Sequence, residues 1–414
     1  MKYSKKGFLA LGAMSALALL AGCAGAQGAG PAQTAEPGDG FDWSAVEPVE
    51  LTASSVFPLG NTSQVMETEW MAAITEATEG KVTFDYYGGG VLHPVTEAIS
   101  ALNSGLTDVT FVNNGYFADQ LPVSNWDDAV MQTAVSDFGY PNMNIAGIGQ
   151  QVVHHSSPDS AARAEMTAAG FIPILPMLSG PQGLHCSEPF QSPADLKGRT
   201  VRIPYPIAQE ELESLGMTGM FLPPNEVYEA LQRGVIDCAL NATTNILAGG
   251  LLEVSPWVAF PNTAPSPGAN IAISTSAWDE LIPEIQQVML DTRHEPFERF
   301  ARDTLDGYAE IVVAAEDAGG GIIDAAELNP AIAQYWAGRP SLGKTAPDGV
   351  TDPEAEIART NAIAEAWWDF TVDELGVPAD SDDTVEVLSL GADVIDGATW
   401  KAWTEAIVNS LGAE

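Results

Sequence analysis

Twelve residues near position 100 return in altered form 129 positions later, and this internal match constrains the fold more than any other feature of the chain. The stretches are EAISALNSGLTD at 97–108 and EVYEALQRGVID at 226–237, with Glu, Ala, Leu, Gly and Asp at equivalent places. Each reads as a short helix stopped by a glycine in the left-handed conformation, followed by a strand that begins near the Asp. Either the chain builds two similar α/β lobes, or two ordinary α/β units match by chance. Under the first reading each strand delivers a polar group just beyond its end: Asn113 and Asn114 in one lobe, Asn241 in the other. Ligands of open α/β sheets sit outside the carboxyl ends of the strands, so facing lobes would form a cleft there.

The surrounding sequence supports alternating elements. Val65, Met66, Trp70, Ile74 and Ala77 fall at helical spacing between Asn61 and Gly80, with Thr62 or Ser63 as the expected cap. Val82, Phe84 and Tyr86 alternate with polar partners as a strand does, and Gly88–Gly90 reads as a turn. Thr200–Ile203 and Met220–Leu222 read as further strands. Short units of this kind predict an α/β fold with mostly parallel sheets. From Ser276 to about Gly319 the pattern turns helical. Beyond it, Trp336, Trp367, Trp368, Trp400 and Trp403 lie on further helices. The expected organisation is lobe I over 49–175, lobe II over 176–255, each completed by part of 256–320, and a C-terminal helical extension over 321–414.

The start of the chain bears on location. Lys2, Lys5 and Lys6 precede an apolar run from Phe8 to Leu20 and then small residues, so 1–22 reads as a secretory signal. Such a run is too short for a permanent spanning helix. The junction Leu20-Ala21-Gly22-Cys23 resembles the lipobox of bacterial lipoproteins, which implies a lipid on Cys23 and anchoring to the cell membrane; a plain cleaved signal is the alternative. Residues 23–48 read as a flexible tether. An exported chain permits disulfides, and Cys186 and Cys238 form the remaining pair, bridged or as two buried thiols.

With 16 Lys+Arg against 56 Asp+Glu, the formal charge of −40 excludes a nucleic-acid binder, which needs clustered cations to neutralise phosphates. No Gly-x-Ser-x-Gly or His-Glu-x-x-His spacing is present, so no nucleophile elbow or zinc site is legible and the chain is not read as an enzyme. The histidines are scattered, and the adjacent pair His154-His155 reads as surface. No cofactor or metal site is expected.

The blocks GKVTFDYYGGGVLHPVTEAISALNSGLTDVTFV at 80–112, SPADLKGRTVRIP at 192–204 and PPNEVYEALQRGVIDCALN at 223–241 resemble the DctP family, the solute-binding proteins of tripartite ATP-independent periplasmic (TRAP) transporters. The resemblance implies a two-lobed periplasmic-binding-protein-like fold with crossing strands and a long connecting helix. It implies capture of a small organic acid by lobe closure and delivery to one small and one large membrane subunit. An ABC permease or a sensor receptor could be served by the same pocket chemistry. The family places an Arg on the strand after the DLKG turn, here Arg202, against the ligand carboxylate. A guanidinium fork suits that task, since it can meet a carboxylate through two charge-assisted hydrogen bonds. Strand alternation alone does not separate Arg202 from Arg199. Asn241 falls at a ligand-contacting position and Asn113 at a polar pocket position of the first lobe. Gln182 stands where a second Arg is common, which favours a ligand with one strongly bound carboxylate. Arg202→Ala is expected to abolish binding and to leave unfolding of the empty protein nearly unchanged.

Overall fold

The computed structural model describes residues 41–411, apart from short stretches at 136–137, 139–141, 157–159, 178–181, 265–267, 340–341, 378–387, 390 and 395. The leader, Cys23 and the tether up to residue 40 lie outside the described residues, as do the side chains of His154 and His155. Among the described residues no helix is long and apolar enough to cross a membrane.

Eleven strands form two sheets: β1 (Val49–Ser54), β2 (Val82–Tyr87), β3 (Val109–Asn113), β4 (Phe171–Met177), β5 (Gly183–Cys186), β6 (Thr200–Ile203), β7 (Thr218–Phe221), β8 (Cys238–Asn241), β9 (Trp257–Ala259), β10 (Ala269–Ser274) and β11 (Gly321–Ile323). Lobe I has the order β2-β1-β3-β10-β4, and lobe II, read from its opposite edge, β7-β6-β8-β5-β9-β11. The first five strands therefore correspond one to one. Five of the nine pairings are parallel and four antiparallel, because each lobe inserts one reversed strand, β10 or β5, beside its parallel trio.

The repeated motif has a mechanical task in both lobes. The Asp108 carboxylate accepts the Thr52 N–H at 2.8 Å, and its own N–H donates to the Thr52 carbonyl at 2.8 Å. Asp237 does the same to Thr200, at 2.7 and 2.8 Å. Each Asp thus closes the last rung between two parallel strands, where a ladder would otherwise leave an unpaired donor. Gly105 and Gly234, at φ of 70° and 66°, make the turn from helix into strand. The match is therefore structural, not a coincidence of two unrelated units.

Helices cover both faces of each sheet, so β3, β8 and β10 are buried along their whole length. In lobe I the helix Thr62–Ala77 packs Met66, Trp70 and Ile74 into the core. Its cap is Asn61, one residue earlier than expected, accepting from the Ser63 N–H at 2.9 Å. The helix His294–Asp317 joins the lobes: Phe297, Phe300 and Leu305 enter the lobe I core, and Tyr308, Ile311 and Ala315 enter that of lobe II.

The C-terminal region divides between the lobes. Residues 321–323 are the edge strand of sheet II, and the helix Asn329–Gly338 buries Ile332 against that lobe. The helices Pro353–Asp369 and Gly397–Leu411 carry Trp367, Trp400 and Trp403 into the lobe I core. Trp403 Nε1 donates to the Ile145 carbonyl at 3.1 Å. Trp367 lies flat on Gly149, where a Cβ would come within 2.3 Å of the ring.

Cys186 and Cys238 are bridged, on registered positions of β5 and β8, and both are fully buried. The bond spans 52 residues, for which loop-closure entropy gives about 4 kcal/mol. The double variant Cys186→Ala/Cys238→Ala should lose about that much in urea unfolding at pH 6.5; a loss under about 1 kcal/mol would show that the bridge adds little to lobe II.

Candidate functional site

A cleft of about 620 Å³ lies between the lobes, at the carboxyl ends of the parallel strands. Lobe I contributes the turn Val56–Pro58, the loop Gly89–Thr96, Phe111, Asn113 and Tyr116; lobe II contributes Arg202, Asn225, Asn241, Thr244 and Asn245. Gln182, at the β4-to-β5 crossing, also lines it. Arg202 is the one cationic side chain, and Glu226 the one carboxylate, among the described lining residues.

Structure separates the two candidate arginines. Arg199 donates to the carbonyls of Glu188 and Pro189, both at 2.9 Å, near the surface. Arg202 is 2% exposed. Its Nε donates to the Leu222 carbonyl at 3.0 Å, and Nη1 donates to the Leu240 carbonyl and Asn241 Oδ1, each at 2.8 Å. Three of its five N–H groups are thereby used, so the full fork that the sequence suggests is not free: the Nη2 amino group is what remains for a ligand. Burial pushes this guanidinium down from its ordinary value, opposed by neighbouring Tyr116 and Tyr205.

Asn241, 1% exposed, is largely committed to the protein. Oδ1 accepts from Arg202, and Nδ2 donates to His185 Nε2 at 2.9 Å. Asn113 ends β3, and its Oδ1 caps a turn by accepting the Gly115 N–H at 2.9 Å. The 129-residue offset places Asn113 opposite Ala242 and Asn241 opposite Val112, so these two asparagines are not counterparts. Strand pairing instead aligns Ser54 with Arg202. Ser54 meets His93 Nε2 at 2.8 Å and Thr110 at 2.9 Å, a serine, histidine and threonine cluster at the place where lobe II holds Arg202.

Two contributors have no signal in the sequence. Tyr116 reaches across the cleft to lie beside Arg202, whose charge it favours, and packs edge-on against Phe221 with centroids 5.8 Å apart. His185 lies behind Asn241, fully buried. Asn61 Nδ2 also meets Asn245 Oδ1 across the lobes at 3.4 Å. Tyr116 was hidden because its partners are in the other lobe, more than 80 residues away.

Residues 54–336 match DctP, the bacterial extracellular solute-binding protein family 7. The chain belongs to this family. A solute-binding protein of Roseobacter denitrificans is 24% identical over 224 residues, which is 52% of this chain and 63% of that relative. The alignment thus spans less than two thirds of the relative's length. Among solved structures, the Bordetella pertussis receptor DctP7, with pyroglutamic acid, superposes with a TM-score of 0.64 at 16% identity, covering 76% of this chain and 99% of that one. A TRAP periplasmic solute-binding protein of Pseudomonas putida F1, with D-glucuronate, gives 0.60 at 20% identity, covering 77% and 97%. These likenesses establish the two-lobed fold of the DctP protein. Its C-terminal helices beyond residue 336 lie outside the family match.

Proposed function

We propose that this DctP protein is an extracytoplasmic lipoprotein, anchored through Cys23, that captures a small organic monocarboxylate between its lobes and delivers it to a TRAP-type membrane transporter. The observation that carries the ligand class is Arg202: one buried guanidinium, with Nη2 left for the cleft and no second cation among the described lining residues. Pyroglutamate and D-glucuronate, bound by the two structural neighbours, each carry a single carboxylate. Gln182, Asn113 and the free capacity of Asn241 supply polar contacts to the rest of the ligand, and closure of the lobes excludes water from the ion pair. The reading assigns no enzymatic step to these residues.

A thermal-shift series on the chain freed of its leader tests this. L-pyroglutamate, D-glucuronate and benzoate are compared with pyroglutamide, glucose and benzamide. A ligand at 100 times its Kd adds about 2.7 kcal/mol of stability. Stabilisation confined to carboxylates is expected; stabilisation by the neutral analogues alone would remove the Arg202 assignment.

A further inference from the structure

We infer that His185, as the neutral Nδ1–H tautomer, is a positioning residue for ligand capture: it orients Asn241, and through Asn241 the Arg202 guanidinium, without touching ligand itself. The inference rests on Arg202 being the ligand clamp.

The hydrogen-bond chain has only one self-consistent direction. The Leu251 carbonyl can only accept, so the Ser255 hydroxyl donates to it, at 2.7 Å. Ser255 Oγ then accepts from His185 Nδ1, at 2.7 Å, which places the ring proton on Nδ1. A neutral ring leaves Nε2 as an acceptor, filled by Asn241 Nδ2 at 2.9 Å. That fixes the amide so that Oδ1 faces Arg202 Nη1 at 2.8 Å. The flipped amide would set an NH2 group against a guanidinium, two donors with no acceptor between them. A doubly protonated ring would force that flip, because it offers Asn241 no acceptor. Arg202 is the charged group that faces the ring, and together with burial it holds His185 neutral, with its pKa down to about 3.

The fold alone does not call for this relay. Arg202, Ala239 and His185 form one row across β6, β8 and β5, and the single methyl of Ala239 leaves room for the flanking side chains to lean over β8. The equivalent row of lobe I is Ser54, Thr110 and Ala272, and the same sheet forms there without a histidine in its reversed strand. His185 is also absent from the lining of the cleft, so its effect on ligand must pass through Asn241.

Long-range 1H–15N spectra of the 15N-labelled chain should show His185 as the Nδ1–H tautomer, unchanged from pH 5 to 8. Hydrogen exchange at Arg202 Nε should accelerate at least tenfold in His185→Leu and return to within threefold of wild type in His185→Gln, whose terminal amide oxygen can accept from Asn241. With D-glucuronate as the calorimetric probe, affinity should follow the same order. An Nε2–H tautomer, a ring titrating near 6.5, or unchanged Arg202 exchange in His185→Leu overturns the inference. If exchange follows the expected order and wild type binds none of the carboxylate panel, the positioning role stands and the clamp reading fails.

Discussion

Arg202→Ala should weaken carboxylate binding on the order of a thousandfold, the usual scale for removing one partner of a buried, hydrogen-bonded charge pair. Calorimetry at 15 °C against the best carboxylate of the panel measures it, and a loss under tenfold would place the clamp elsewhere. The structure alters the companion expectation that the empty protein would be indifferent. The Leu222 carbonyl, the Leu240 carbonyl and Asn241 Oδ1 all lose their donor in this variant. Each buried orphan costs about 1 to 3 kcal/mol, partly offset if water enters from the cleft. The empty variant should therefore unfold several degrees earlier. Arg202 is a structural tie between β6, the residue that follows β7, and β8, and on the proposed reading it is a ligand group as well.

Stability should fall steeply between pH 6.5 and 8, by about 1.4 kcal/mol per pH unit for each of two buried carboxyls. Burial pushes Glu67 up to about 8, against hydrogen bonds from Ser55 and Tyr86, and Oε1 has no protein partner. Burial also pushes Glu211 up to about 8, although its Oε1 accepts from the Ala264 N–H at 2.7 Å and Trp336 Nε1 at 2.9 Å. Both folded values lie above the unfolded 4.5, so their contribution is full below pH 4.5 and is lost as pH rises through 8. His185 acts oppositely: its folded value of about 3 lies below 6.5, and its contribution, full above 6.5, is lost on acidification. Above pH 6.5 the two carboxyls alone among these three still change, which selects the window. Urea midpoints of wild type and Glu67→Gln/Glu211→Gln at pH 6.5 and 8 decide it: parallel slopes would show that these carboxyls are already ionised in the folded state.

The legible part of the molecule was what local chemistry dictates. Helix stops at Gly105 and Gly234, alternation in β2 and the capped turn before β6 are encoded within a few residues, and so the repeat could be found. What sequence left open depends on distant pairing. The reversed strands β5 and β10 look like any apolar run, and only the sheet order shows that each completes a lobe. Arg199 and Arg202 differ by burial that spacing does not encode. Cys186 and Cys238 required the register of β5 on β8. Asn241 lies at the cleft, but its bonds to Arg202 and His185 could not be read from its place after a strand.

The chain crosses between the lobes at least four times: from β4 to β5, from β9 to β10, along His294–Asp317, and between the helix Asn329–Gly338 on lobe II and Leu342, whose carbonyl accepts Trp126 Nε1 of lobe I at 2.8 Å. Two bodies joined at a single point can swing, twist and slide. Bodies stitched at several points along a shared seam keep one soft degree of freedom, rotation about that seam, as the boards of a book do. Each further stitch trades freedom of approach for repeatability, so that under the proposed closure Tyr116 returns to Arg202 and Phe221 in one alignment.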